Sequence, residues 1–198
     1  MVNNSDKVRK IDFFISADFF CKGSVFLGMN KRNVVSLWIE FEIVMVELNL
    51  PEYNFKVKKT GGGSWAIWDR LRDRWVALTP EEWVRQHFVE WLIAEKHFPA
   101  ALMGNEVSLM QNGIARRCDT VVADRTGSPL VIVEYKAPSI NITQKTFDQI
   151  VRYNMVLKAK CLIVSNGLEH YCCHIDYEGN SYRFLEEIPS YEDLVSTP

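Results

Sequence analysis

Beyond residue 45 the order of apolar and polar positions becomes regular and predicts strands and helices. Alternating positions or short apolar runs between turn residues predict strands at Tyr53–Val57, Trp65–Asp69, Trp75–Leu78, Glu106–Met110, Ala115–Ala123, Leu130–Lys136, Cys161–Ser165, His170–Asp176 and Ser181–Leu185. Helical spacing predicts one helix from Thr79 to about His97 and a second over Thr143–Lys158. This order predicts an α/β (α+β) fold in which helices flank a mixed central β-sheet, with an N-terminal β-hairpin extension.

The first 44 residues follow neither period and carry no capping signals, although they include the aromatic pairs Phe13-Phe14 and Phe19-Phe20. Two alternatives stay open for residues 1–44. A natural start at Met45 would place them outside the domain, whereas an accessory strand pair or helix would cover one face of the sheet. In both cases residues 45–198 are predicted to form a single domain.

Composition indicates a soluble globular protein, with 47% hydrophobic and 24% charged residues. No apolar run is suited to crossing a bilayer, because the best candidate, Val34–Leu50, contains three glutamates. The N-terminus also lacks the layout of a signal peptide. The five cysteines, two of them adjacent, do not have the spacing of a disulfide framework. We therefore expect a reduced, cytoplasmic protein with no membrane segment.

Charge is unevenly distributed, although the net charge of −2 gives no sign of nucleic-acid binding. Residues 113–160 contain eight Lys or Arg against four acids, whereas residues 161–198 contain one Arg against seven acids. The basic segment includes the candidate DNA-contacting residues Arg116, Arg117, Lys145 and Arg152. A nucleic-acid-binding face and a chance cluster on a solvated surface both stay open as explanations.

The turn at Thr126-Gly127 brings together the side chains that suggest chemistry. If the strands on either side pair symmetrically about this turn, Asp119 lies directly opposite Glu134 on one face of the sheet. Lys136 shares that face because side chains alternate along a strand. Two carboxylates and an ammonium group are therefore expected to converge between apolar strands.

Such a cluster predicts a metal site, because burying two facing carboxylates raises one pKa strongly unless a cation neutralises them. Mg²⁺ suits the pair, since it prefers one or two carboxylates together with phosphate oxygens and water, and Mn²⁺ is the expected substitute. Lys136 would then orient the attacking water or offset charge on the phosphate. The alternative is a buried Asp–Lys–Glu salt-bridge cluster at the end of a strand.

Gln149 and Tyr153 extend this predicted site. They lie four residues apart on one face of the helix that follows the Lys136 strand, so both can face the acidic pair. We expect them to help position a phosphate or a metal-bound water. The alternative is that they form a packed polar edge of the helix.

The motifs Gly113…Asp119, Glu134-Tyr135-Lys136 and Gln149-Ile150-Val151-Arg152-Tyr153 resemble those of the PD-(D/E)XK nuclease superfamily in its RecB-like form, which combines E-x-K with Q-x-x-x-Y. A closer resemblance is to the N-terminal nuclease domain of type I restriction enzyme motor (R) subunits, over about residues 48–190. The segments that carry it are Trp83–Ile93, Arg117-Cys118-Asp119, Val133–Pro138, Gln149–Asn154 and Leu162–Gly167.

This resemblance implies a restriction-endonuclease-like core and a Mg²⁺-dependent DNA nuclease, acting as an endonuclease or an exonuclease. It implies that Asp119 and Glu134 are metal ligands and that Lys136 is the catalytic lysine. It also implies that a glutamate on the first helix joins the metal site. Glu90 is the candidate for that role, and Glu106 on the next strand is a weaker alternative.

DNA is therefore the expected partner. In restriction enzymes this domain is fused to a helicase motor, but the sequence contains no P-loop Gly-x-x-x-x-Gly-Lys string. A separate helicase or restriction–modification subunit is expected to assist DNA binding, and assembly into a homo-oligomer stays open.

The sequence also raises two other interpretations. A catalytically silent nucleic-acid-binding or assembly module on the same fold stays open as the alternative function. A zinc site at His170, Cys172 and His174 is disfavoured, because structural zinc sites usually lie in turns with C-x₂₋₄-C spacing.

Overall fold

A computed structural model describes residues 46–111 and 113–196 of the chain. The alternatives left open for residues 1–44 lie outside these ranges. The strands are β1 (Val57–Lys59), β2 (Trp65–Asp69), β3 (Arg74–Ala77), β4 (Met103–Gln111), β5 (Ile114–Ala123), β6 (Pro129–Tyr135), β7 (Cys161–Ser165), β8 (His170–Asp176) and β9 (Ser181–Leu185). The helices are α1 (Pro80–Ala94), α2 (Gln144–Leu157) and α3 (Tyr191–Ser196), with a 3-10 turn at Ala100–Leu102.

The first three strands form a small antiparallel sheet beside α1. Ile67 of β2 joins Leu78 and Trp83 in an apolar core, which holds this sheet against the first turn of α1. The helix begins as predicted, because the Thr79 hydroxyl accepts the Glu82 backbone N–H at 3.1 Å. The start of α1 is therefore fixed both by its cap and by the small sheet.

The second sheet has six strands in the order β4-β5-β6-β7-β8-β9. Neighbouring strands run antiparallel except β6 and β7, which are parallel. Parallel neighbours need a crossover connection, and α2 supplies it by returning the chain from the end of β6 to the start of β7. This mixed sheet confirms the predicted fold class.

Helices cover both faces of the large sheet. On one face, Phe88 of α1 and Val133 of β6 belong to the same apolar core, and α3 contributes to that core as well. On the other face, Ile150 of α2 and Ile132 of β6 belong to a second core. β6 is thus buried on both sides, and its C-terminal end holds the polar side chains of Glu134 and Tyr135 inside this environment.

Four elements differ most from the sequence-based expectation. β4 spans Met103–Gln111 instead of Glu106–Met110. The first strand lies at Val57–Lys59 instead of Tyr53–Val57. α1 ends at Ala94, before the predicted end, because His97 takes a left-handed backbone conformation with φ of 59°. α3 was not predicted, because its six residues are too few to show a period. The sequence does contain a capping signal for α3, because Ser190 and Asp193 exchange hydrogen bonds at its start.

None of the described helices is long and apolar enough to span a membrane. The four cysteines of the described ranges, Cys118, Cys161, Cys172 and Cys173, are free and buried. Their thiols therefore pack as small apolar groups inside the two cores.

Candidate active site

The hairpin formed by β5 and β6 leads into the candidate site. Its ladder includes the pair Thr120 and Val133, which is the register that the sequence predicts. Asp119 and Glu134 are the next residues beyond this pair. The Asp119 carboxylate reaches across the hairpin, where its Oδ2 accepts the backbone N–H of Tyr135 at 2.8 Å. At the end of the hairpin, the Asp119 side chain therefore accepts the hydrogen bond that a backbone carbonyl would accept in a regular ladder.

Glu134 is the point at which the two sequence motifs meet. Its side chain is 3% exposed, and its Oε1 accepts a hydrogen bond from Lys136 Nζ at 2.7 Å. The same oxygen accepts a hydrogen bond from Gln149 Nε2 at 2.6 Å. Gln149 Nε2 also lies 3.2 Å from the Tyr153 hydroxyl. Gln149 of α2 therefore contacts Glu134 directly, and Tyr153 contacts Gln149, one helical turn away.

The charged groups of this cluster shift one another's pKa values. Burial and the nearby Asp119 charge raise the pKa of Glu134 to about 7, even though Lys136 lowers it. Burial also raises the pKa of Asp119, against the opposing effect of Arg85. Burial alone would lower the pKa of Lys136, but its hydrogen bond to Glu134 and the surrounding carboxylates raise that pKa. The site thus holds more buried negative charge than its own lysine neutralises.

Arg85 of α1 is part of this site, although it was not among the residues predicted for it. Its side chain is 4% exposed, and its Nη2 donates to Asp119 Oδ1 at 3.0 Å. Its Nη1 donates to Glu106 Oε1 at 2.6 Å and to Glu82 Oε2 at 3.0 Å. A charged residue one position after Val84, on the apolar side of a helix, is the signal that could have identified it.

The glutamate expected from the first helix, Glu90, does not lie at the site. Glu90 pairs with Arg70 at 2.8 Å and is not brought to the acidic pair. Glu81 is the α1 carboxylate whose charge acts on both Asp119 and Glu134. Because a helix advances roughly 100° per residue, the nine positions between Glu81 and Glu90 put them on opposite sides of α1.

Glu106, the weaker alternative, does lie at the site. It pairs with Arg85 and with Arg117, and its backbone takes a left-handed conformation with φ of 58°. A non-glycine residue in that conformation is strained, and such strain is often found at functional sites. Glu106 forms ion pairs with two cations, Arg85 and Arg117, and its carboxylate supports the site through them.

The four candidate DNA-contacting residues differ in exposure. Arg117 is 68% exposed, and its guanidinium pairs with Glu106, beside the acidic pair. Lys145, in the first turn of α2, and Arg152 are also exposed. Arg116 is half-buried, and its Nε has no hydrogen-bond partner in the described structure. Three of the four are therefore accessible to a phosphate backbone.

Two residues of the disfavoured zinc site have other contacts. Cys172 lies in the apolar core that contains Phe88, and His170 Nδ1 is 2.8 Å from the Ser165 hydroxyl. Throughout residues 46–111 and 113–196, no three His, Cys, Asp or Glu side chains form a ready-made metal cluster. Mg²⁺ does not require one, since it binds through one or two carboxylates with phosphate and water.

Residues 80–189 match the family model described as Type I restriction enzyme R protein N terminus (HSDR_N), which is more than half of the 198 residues. The chain belongs to this family. The segment matched to the R protein N-terminal family begins with α1 and includes Asp119, Glu134, Lys136 and Gln149. The predicted resemblance to the N-terminal domain of type I restriction motor subunits is thereby confirmed.

Three solved chains also match. One is a fragment assigned to an HsdR subunit of a type I restriction enzyme from Vibrio vulnificus YJ016, with 19% sequence identity and a TM-score of 0.44. That match covers 58% of this chain and 24% of the solved chain. No curated protein matches significantly.

Proposed function

We propose that this member of the R protein N-terminal family is a Mg²⁺-dependent nuclease that hydrolyses phosphodiester bonds of DNA, with Mn²⁺ as a substitute for Mg²⁺. The observation that carries the proposal is the meeting of Lys136 and Gln149 at one buried Glu134 oxygen, with Asp119 held at the end of the same hairpin. Family membership supports it as well.

The donor set fits a hard divalent cation, because the groups that converge are carboxylates. Asp119 and Glu134 would hold the ion, and Glu81, which shares Arg85 with Asp119, is proposed to add negative charge beside them in place of Glu90. The raised pKa of Glu134 supports this assignment, because negative charge in excess of the ion pairs favours a bound cation. When bound, the ion would supply an activated water and neutralise charge on the phosphate.

The remaining side chains would orient the Glu134 carboxylate and stabilise charge on the phosphate. Lys136 keeps its charge at neutral pH, since its carboxylate neighbours raise its pKa, so its Nζ can offset negative charge that develops on the phosphate. Gln149 fixes the orientation of the Glu134 carboxylate through its 2.6 Å hydrogen bond. Tyr153, one turn further along α2, supports Gln149 in that position.

DNA would be bound through its phosphates by the exposed Arg117, Lys145 and Arg152, with Arg116 beside them. Four cations on a chain of net charge −2 predict weak and salt-sensitive binding. We therefore propose that a separate helicase or another restriction–modification subunit delivers the DNA.

One observation favours a second function, a catalytically silent DNA-binding or assembly module. Asp119 is already paired with Arg85, and Glu134 with Lys136, so the cluster can exist as a set of structural ion pairs. In that case the site would have no need of a metal.

Cleavage assays separate the two functions. The full chain is incubated with supercoiled, linear or single-stranded DNA in the presence of Mg²⁺, Mn²⁺ or EDTA. We expect cleavage of at least one DNA form with either metal, none in EDTA, and none by a Glu134→Gln variant purified in parallel. DNA binding without metal-dependent cleavage of any of the three forms would instead support the silent module.

A further inference from the structure

Arg85 occupies the centre of the acidic cluster. Its buried guanidinium lies within 3.0 Å of carboxylate oxygens on Glu82, Glu106 and Asp119, and 4.0 Å from Glu81. Arginine stays protonated in proteins, so this group is a permanent positive charge. A buried charge of this kind is costly unless it is paired, and here several carboxylates share it.

The carboxylates around Arg85 do not depend on it equally. Glu82 also pairs with Arg72 at 2.7 Å, and Glu106 also pairs with Arg117. The ion pair that Asp119 makes within the described ranges is the one with Arg85. Asp119 is therefore the proposed metal ligand that would lose its close counter-charge if Arg85 were removed.

The pose of Arg85 serves these contacts at the expense of its own hydrogen bonding. Its Nε is buried and has no hydrogen-bond partner in the described structure, while both Nη atoms point at carboxylates. An unsatisfied buried donor is unfavourable. The contacts of the two Nη atoms with Glu106 and Asp119 therefore offset the cost of the unsatisfied Nε.

We propose that Arg85 is the resident counter-cation of the metal-free site: its guanidinium balances Asp119 and Glu106 until a divalent cation binds, and so sets the metal affinity. The inference rests on the proposed function. A fixed positive charge beside the ligands repels a divalent cation, so its presence weakens metal binding. Its removal leaves excess buried negative charge, which a bound cation can neutralise.

Thermal unfolding of the full chain tests this role without any activity measurement. Wild type, Arg85→Gln and Arg72→Gln are compared in EDTA and in millimolar Mg²⁺. Arg72 is the matched control, because it shares Glu82 with Arg85 but pairs with Asp69 on its other side. Both variants lose a buried ion pair, so each should unfold roughly 5–10 °C below wild type in EDTA.

The expected difference between the variants appears when Mg²⁺ is added. The Mg²⁺-induced rise in Tm should be at least about twice the wild-type rise in Arg85→Gln and unchanged in Arg72→Gln. Calorimetry should show Mg²⁺ binding about tenfold tighter to Arg85→Gln than to wild type.

Several results would overturn the role of Arg85. One is a Mg²⁺-induced rise in Tm that is no larger in Arg85→Gln than in wild type. That result would make the ion pairs of Arg85 purely structural while leaving the metal site intact. If Arg85→Gln does not fold, Arg85→Lys replaces it: Lys keeps the positive charge, so its Mg²⁺-induced rise in Tm should equal that of wild type, and a rise about twice as large would contradict the role. Absence of any Mg²⁺ effect in wild type and variants would refute the metal site itself.

Discussion

Gln149 of α2 donates a 2.6 Å hydrogen bond to Glu134 at the end of β6, and so joins the helix to the strand that precedes it in the chain. The same Glu134 oxygen accepts Lys136 Nζ at 2.7 Å. The orientation of one carboxylate thus depends on a side chain from the crossover helix. This link explains how a Q-x-x-x-Y motif, distant in sequence from E-x-K, can contribute to the same site.

The first prediction concerns Gln149. Replacing it with Ala removes the hydrogen bond that orients Glu134, so DNA cleavage should slow by roughly tenfold or more while Tm changes by a few degrees at most. Gln144→Ala is the matched control, because Gln144 lies on the same helix and bonds the exposed Asp148. A large loss of Tm with unchanged activity per folded molecule would mean that Gln149 is a packing residue.

The second prediction concerns the pH dependence of stability in EDTA. Burial and the Asp119 charge raise the pKa of Glu134 from 4.5 to about 7. Between these values the folded chain binds more protons than the unfolded chain, so this group makes the free energy of unfolding fall as pH rises, by up to about 3 kcal/mol. Glu134→Gln, which cannot ionise, should remove that contribution.

Denaturant unfolding at pH 5, 6.5 and 8 would measure it. Glu134→Gln should gain stability relative to wild type as pH increases, with most of the gain between pH 5 and 7. The exposed Glu178 provides a control, since Glu178→Gln should track wild type at all three values. A constant difference between Glu134→Gln and wild type across this range would contradict the raised pKa of Glu134.

The third prediction concerns the turn between β7 and β8. Gly167 has φ of +84°, and a Cβ there would lie 2.6 Å from Leu48 Cδ2 and 3.1 Å from Val84 Cγ2. Gly167→Ala should therefore lower the free energy of unfolding by roughly 2–3 kcal/mol. Gly127→Ala is the control, because Gly127 has φ of +88° with nothing within 4 Å of its Cβ position. Equal losses in the two variants would mean that Leu48 does not pack against this turn.

Much of the site could be predicted from the sequence because its members are local. Asp119 and Glu134 flank one short turn, so strand alternation and symmetric pairing suffice to place them. Lys136 follows on the same strand, and Gln149 and Tyr153 share a helical face. The mixed central sheet follows in the same way from the order of predicted elements.

The contribution of α1 could not be predicted in this way. Its own pattern fixes its apolar side, but which polar residues at its edges reach Asp119 depends on how the helix is placed across the sheet. Arg85 and Glu81 reach the site because the first turn of α1 lies beside it, whereas Glu90 lies on the opposite side and pairs with Arg70. Tertiary packing, and not the spacing of residues along the helix, therefore decides which polar residues of α1 reach the site.

Lys136 is proposed to act at a metal-dependent phosphodiesterase centre, and the rate of Mg²⁺-dependent DNA cleavage by Lys136→Ala tests this role most directly. The control is Lys59→Ala, which alters an exposed lysine on the small sheet. We predict that Lys136→Ala loses at least about 100-fold in rate while its fold and DNA binding persist, and that Lys59→Ala cleaves like wild type. Undiminished cleavage by folded Lys136→Ala would contradict the assignment.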